Sequence, residues 1–278
     1  MRCCWGTGSA ARVSAGGIKA PAKAPGRREF ALRFGHIRAF CLPQPGHPAG
    51  TKPQEGAMRS AALSASREIA DKRLIRSFSY IGGKWTGAQS GAVITVTNPA
   101  SGEVLGEVAA LSGAQAAQAI GVAQAAFGPW AARLPQERAA LLRRWHGEIM
   151  AHREDLARIM VLEQGKPLSE ARGEIEYAAS FVAFYAEEAT RLNIESITSH
   201  LPGAALSLSR EPLGVAALIT PWNFPSAMLT RKAAAALAAG CTTLCHPSAE
   251  TPFSALALAE LAERAGLPAG VLNVITGA

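Results

Sequence analysis

Val215-Ala216-Ala217-Leu218-Ile219-Thr220-Pro221-Trp222-Asn223-Phe224-Pro225 reads as a strand that ends in a turn and hands over to a helix. Val215–Ile219 is a short, wholly apolar run bounded by Gly214 and Pro221, the pattern of a strand covered on both faces. Pro225 falls in the first turn of a small-residue helix of about residues 225–239, and Gly240 is placed to cap it. The unit then repeats. Cys241–His246 predicts a second strand, Thr251-Pro252 an N-cap followed by Pro at the first helical position, and a helix that runs to Arg264 and stops at Gly266. Val271–Thr276 predicts a third strand. A β-α-β-α-β run implies parallel strands joined by right-handed crossovers, which is half of a doubly wound sheet. If the protein stops at Ala278, Val271–Thr276 is expected to be left as an apolar, unpaired edge.

Upstream, Phe78–Ile81, the Gly82-Gly83 turn and Lys84-Trp85 predict a hairpin, and Ala92–Thr97 and Val104–Val108 two more strands. Ser112 is a credible N-cap for a helix in which Ala116, Ile120, Ala123 and Phe127 recur at helical spacing. A second helix follows Pro135, with Leu141, Leu142, Trp145 and Ile149 on one face. A third carries Leu156, Ile159, Met160 and Leu162 and breaks at Gly165-Lys166-Pro167. A fourth, Ser169–Arg191, is rich in Ala and aromatic residues (Tyr177, Phe181, Phe184, Tyr185). Residues 191–202 read as a connecting loop and Ala204–Ser209 as a strand. The fold class is therefore α/β, divided into a basic extension at 1–70 and a folded domain at 71–278.

Composition supports a globular chain: 49% of the 278 residues are hydrophobic and 18% charged. The net charge of +7 does not point to nucleic acid, because residues 1–57 hold nine Lys and Arg against Glu29 and Glu55, and the rest is neutral. That segment also gathers Pro21, Pro25, Pro43, Pro45, Pro48 and Pro53 without periodicity, and is expected to be disordered. Being Arg-rich and acid-poor it has two readings, a mitochondrial transit peptide or translated sequence upstream of a start at Met58, the second implying a cytoplasmic protein. No apolar run is long enough for a membrane span. Of five cysteines, Cys3, Cys4 and Cys41 lie in the extension and Cys241 and Cys245 in one predicted strand, which is no disulfide framework and no metal-binding spacing.

Asn223 is the residue that invites chemistry. A side-chain NH2 at a strand-to-helix turn can hold a developing oxyanion, and Asn at such a turn also serves as a helix N-cap. From the residues alone both uses stand. Four stretches then resemble the aldehyde dehydrogenase superfamily: Leu162-Glu163-Gln164-Gly165-Lys166-Pro167-Leu168; Gly173-Glu174-Ile175; Thr220–Pro225; and Ala235–Cys241 followed by Thr251–Leu261. The wording is most similar to the succinate-semialdehyde dehydrogenase branch, over about residues 76–278. The resemblance implies the N-terminal half of a Rossmann-like, NAD- or NADP-binding enzyme that oxidises a small aldehyde through a Cys thiolate, with a Glu to activate water and homo-oligomeric full-length relatives.

On that resemblance Asn223 takes the oxyanion position, and Thr220, Pro221 and Trp222 line the cofactor's nicotinamide ribose. The segment His246-Pro247-Ser248-Ala249 takes the adenosine ribose. Family members carry Lys where His246 stands; His is shorter and largely neutral, so it is either a weakened ribose contact or a polar residue ending its strand. Ala249 replaces a Glu common in NAD-preferring relatives, which tolerates the 2′-phosphate of NADP, although Glu250 is adjacent. Arg191 aligns with a substrate-carboxylate ligand, its plainer role being interaction with the end of its helix. Cys241 and Cys245 precede the family's nucleophile in motif order and are not candidates for it, and Lys232 has no evident partner. The family's nucleophile, base and pyrophosphate-binding turn all follow Ala278, so the 278 residues alone are expected to be inactive. The alternatives are a dehydrogenase for another semialdehyde, such as glutarate semialdehyde, or a non-catalytic binding module.

Overall fold

The computed structural model describes residues 69–192 and 194–277. The expectations of disorder, a transit peptide or a start at Met58 lie outside the described residues. Packing begins no later than Ile69, which is buried, and the Ala70 and Asp71 amides both donate to Asp155 at 2.8 and 2.9 Å.

Three repeats of the strand signal form the parallel part of a five-stranded sheet. β7 (Val215–Ile219) pairs parallel with β8 (Thr242–His246), and β8 with β9 (Leu272–Val274). Helices α5 (Pro225–Ala239) and α6 (Pro252–Arg264) make the two connections. The hairpin β1 (Ser79–Ile81) and β2 (Lys84–Thr86) completes the order β2-β1-β9-β8-β7.

The expected edge at the last strand is wrong. β9 lies between β8 and β1, with Tyr80 antiparallel to Val274. The Asn273 side chain accepts from the Gly82 amide at 2.9 Å, and the Ser79 and Thr276 hydroxyls meet at 3.0 Å. The partner comes from almost two hundred residues upstream, so no local pattern foretells it. The outer strands of this sheet are β2 and β7.

The sheet is covered on both faces. On one lies α1 (Gly113–Ala131), and neighbouring residues of β8 show the division: Leu244 clusters with Ala119 and Ile275, whereas Cys245 joins the main core with Leu218 and Val274. That core is closed by α5, α6, α2 (Pro135–Ala151), α3 (Arg153–Gln164) and α4 (Leu168–Glu188), which ends in a 3-10 turn, Ala189–Arg191. Ser112 caps α1 in a reciprocal box with Gln115. The buried stripe of α1 differs from the expected one. Ala119, Ala123 and Trp130 are inside and Ile120 is 49% exposed. Small residues at 119 and 123 let the helix lie close on β8, where the Thr242 hydroxyl donates to the Ala123 carbonyl at 2.9 Å.

Two short hairpins stand apart from the main sheet. β3 (Val93–Thr97) pairs antiparallel with β4 (Val104–Ala109). The stretch expected to be a loop contains β5 (Glu195–Ile197), antiparallel to β6 (Leu206–Leu208). All three residues of β5 are exposed, so no alternation marked it as a strand.

Candidate functional site

The C-terminal ends of β7 and β8 lie side by side, where open α/β sheets place their ligands. Ile219 is in register with His246, and the Thr220 amide donates to the His246 carbonyl at 3.1 Å. Tertiary structure thus brings Thr220, Pro221 and Trp222 next to His246, Pro247, Ser248 and Ala249. Thr220 is 4% exposed and its hydroxyl oxygen has no hydrogen-bond partner among the described residues, whereas Trp222 is half exposed. His246 Nδ1 lies 3.1 Å from the Pro247 carbonyl, and Ser248 donates to the Glu250 carboxylate. Glu250 therefore has a partner of its own beside Ala249.

Both helices that start at this edge are capped from outside. Thr251 holds the expected N-cap position of α6 with Pro252 directly after it, but its side chain makes no cap hydrogen bond. The donors are taken by Glu163 of α3, whose two oxygens accept from the Phe253 and Ser254 amides, each at 2.7 Å. At α5, Glu174 of α4 accepts from the Ser226 and Ala227 amides at 3.1 and 3.2 Å. Helix N-termini attract phosphates, and these two are already filled by carboxylates. Burial pushes the Glu163 carboxyl up to about 7, against the pull of the Ser254 and Phe253 amides and aided by the charge of Glu174.

Asn223 lies just ahead of α5, next to its N-cap residue. The N-cap position of α5 belongs to Phe224, and the Asn223 carboxamide has no hydrogen-bond partner among the described residues. Its side chain is therefore an exposed donor that is not engaged in helix capping. Its backbone is held: Lys166, just after α3, donates from Nζ to the Asn223 carbonyl at 3.1 Å and to Glu174 at 2.5 Å, and lies over the Phe224 ring at 4.1 Å. An open depression of about 430 Å³ beside Asn223 is lined by Lys166, Glu170, Glu174, Tyr177 and Phe224.

Arg191 is not brought to this depression. It is exposed, pairs with Glu188 at 2.8 Å, and lines a separate depression with Arg143 and His146. The helical rise puts it about 25 Å along the α4 axis from Glu174. A different cation is linked to it through two aromatic rings. Arg231, two turns into α5, is exposed, touches the Met228 sulfur and lies 5.8 Å from the Phe181 ring. Phe181 stacks on Tyr177 at 4.5 Å, which leads to the depression. Arg231 makes no ion pair among the described residues. Its signal in the sequence was an Arg in an otherwise small-residue helix shortly after Asn223. Glu163, Glu174 and Lys166 lie in stretches that carry the family resemblance, but nothing in their spacing signals these contacts.

Lys232 does have a partner: it donates to the Ile219 carbonyl at 2.6 Å, tying α5 to the end of β7. Cys245 is buried within β8, and burial pushes its thiol up to about 12. Cys241 precedes β8, at the end of the strand opposite His246. Among the described residues no group of three or more His, Cys, Asp and Glu is placed to hold a metal ion, and no helix is long and apolar enough to cross a membrane.

Residues 85–278 match the aldehyde dehydrogenase family. The chain is 54% identical over 215 residues to a non-phosphorylating aspartate-semialdehyde dehydrogenase of Halomonas elongata, covering 77% of this chain and 44% of that protein. It is 52% identical over 210 residues to an NADP+ succinate-semialdehyde dehydrogenase of Escherichia coli, covering 76% and 44%. The crystal structure of a succinate-semialdehyde dehydrogenase from Burkholderia pseudomallei superposes with a TM-score of 0.74 at 50% identity, again over 76% and 44%. The chain spans less than half the length of these relatives.

Proposed function

This chain belongs to the aldehyde dehydrogenase family, and from that premise we propose that it forms the cofactor side of a site that oxidises a small semialdehyde to its acid with NADP+ or NAD+. The observation that carries the proposal is the free carboxamide of Asn223 at the C-terminal end of β7. The aldehyde oxygen gains negative charge when its carbon is attacked, and the Asn223 NH2 donates to it there. Thr220–Trp222 and His246–Ala249 would hold the nicotinamide cofactor, which when bound accepts the hydride. The unpartnered, buried hydroxyl of Thr220 fits a polar ligand at this edge. The filled N-termini of α5 and α6 leave the pyrophosphate to other groups. NADP+ is favoured over NAD+ because Ala249 presents no carboxylate and Glu250 is tied to Ser248.

The substrate class is an aldehyde with a remote carboxylate, succinate semialdehyde being the leading member. Both curated relatives are named for such aldehydes, and Arg231, which makes no ion pair among the described residues, supplies a guanidinium beside Phe181, whose ring packs against Tyr177 of the depression. Residues 69–277 by themselves are proposed to be inactive, since Cys245 is buried and Cys241 lies at the far end of β8.

Two measurements test this. Asn223→Ala in the active enzyme lowers kcat by about 10²–10³ and leaves NADP+ affinity unchanged, the loss typical of an oxyanion donor; an unaltered kcat removes Asn223 from the chemistry. The isolated chain, given succinate semialdehyde and NADP+, yields no reduced nicotinamide above a protein-free control. Turnover by it would refute the proposed inactivity.

A further inference from the structure

We propose that Lys166 is a positioning residue for Asn223, acting through its buried ion pair with Glu174. The two side chains are 9% and 1% exposed and meet at 2.5 Å. A buried pair of this kind is weak grounds for stability, because desolvation cancels much of the attraction. What it supplies here is geometry. Glu174 Oε2 takes the Lys166 ammonium, and Oε1 takes the amides of Ser226 and Ala227. Lys166 then reaches back to the Asn223 carbonyl at 3.1 Å and covers the Phe224 ring.

Turn residues 223–227 are therefore pinned on both sides by one acid and one base. The Asn223 carboxamide makes no hydrogen bond of its own among the described residues, so its aim is inherited from the backbone that Lys166 holds. A displacement of about 1 Å is enough to cost on the order of a hundredfold in rate. Lys166 need not touch substrate or cofactor to have this effect.

The inference rests on Asn223 as oxyanion donor, and its test reads order directly so that the two ideas fail separately. In the ¹⁵N-labelled chain the Asn223 side-chain NH2 pair is identified by its loss in Asn223→Asp. Lys166→Met is expected to lower the heteronuclear NOE of that pair toward the value of a fully flexible Asn, and to speed hydrogen exchange at Ser226 and Ala227 by about tenfold or more. The Phe253 and Ser254 amides, held by Glu163, should be unchanged. Lys166→Arg, which keeps the charge, should restore part of the order. In the active enzyme Lys166→Met should lower kcat about 10- to 100-fold with KM nearly constant. An unchanged Asn223 pair in Lys166→Met overturns the proposal, as does equal loosening at 253 and 254. If that variant does not fold, Glu174→Gln keeps an acceptor for the amides while removing the charge, and an undisturbed Asn223 pair there overturns it equally. Normal activity in Asn223→Ala, by contrast, would sink the oxyanion role and leave the ordering result standing.

Discussion

Replacing Glu163 by Gln separates two physical descriptions of the α6 cap. In the fold the carboxyl is fully enclosed, and burial raises it from 4.5 to about 7 despite two amide donors at 2.7 Å. In the unfolded chain it titrates near its ordinary value. Between those limits the folded chain keeps a proton that the unfolded chain has released, so this group's contribution to stability falls as pH rises from about 4.5 to about 7. At about 1.4 kcal/mol per unit the full change is about 3 kcal/mol. Gln does not titrate. It offers one oxygen to two amides, and the amide left unmatched costs about 1–3 kcal/mol at every pH. Urea unfolding followed by far-UV circular dichroism, on both proteins across this range, cancels every other titrating group in the difference. The variant should be less stable than the parent near pH 4.5, and should equal or exceed it by about pH 8. A gap that stays constant, or widens with pH, would refute the reasoning. It would mean that the dipole and amides of α6 hold Glu163 as an anion more strongly than burial opposes it.

Arg231→Gln should raise KM for succinate semialdehyde by about 10- to 100-fold while sparing an uncharged aldehyde of similar size, as expected for the loss of a charge-assisted pair. Arg191→Gln should leave both substrates unaffected. The reverse pattern in steady-state kinetics would return the carboxylate to Arg191. His246→Lys should tighten NADP+ binding about tenfold in a fluorescence titration, because an ammonium on a longer stem replaces a shorter imidazole ring; unchanged affinity would place residue 246 outside the cofactor contact.

Much of this was readable because it is local. Strand lengths, the Pro225 and Pro252 helix starts, the Gly240 stop and the two βα repeats depend on apolar runs and backbone preferences within a few residues. So does the placing of Asn223 at a strand-to-helix turn. The exceptions have a common cause. Pairing of β9 with β1, closure of α5 by Glu174 and of α6 by Glu163, and the hold of Lys166 on Asn223 each join residues far apart in the chain. Hydrophobic periodicity records that a face is buried, not what covers it, which is why the buried stripe of α1 falls elsewhere and why the acceptor for the first α6 amides is Glu163 and not the N-cap residue Thr251 itself.

The sequence by itself determined the α/β class, the parallel run at residues 215–276 and the presence of a carboxamide at the end of its first strand, because backbone geometry and short-range patterning suffice for each. Only the tertiary structure decided that the carboxamide is free and that a buried lysine–glutamate pair holds the turn beneath it. It also put Arg231 beside the Phe181 ring and Arg191 against Glu188 in a separate depression, because direction and distance between side chains exist only once the helices are packed.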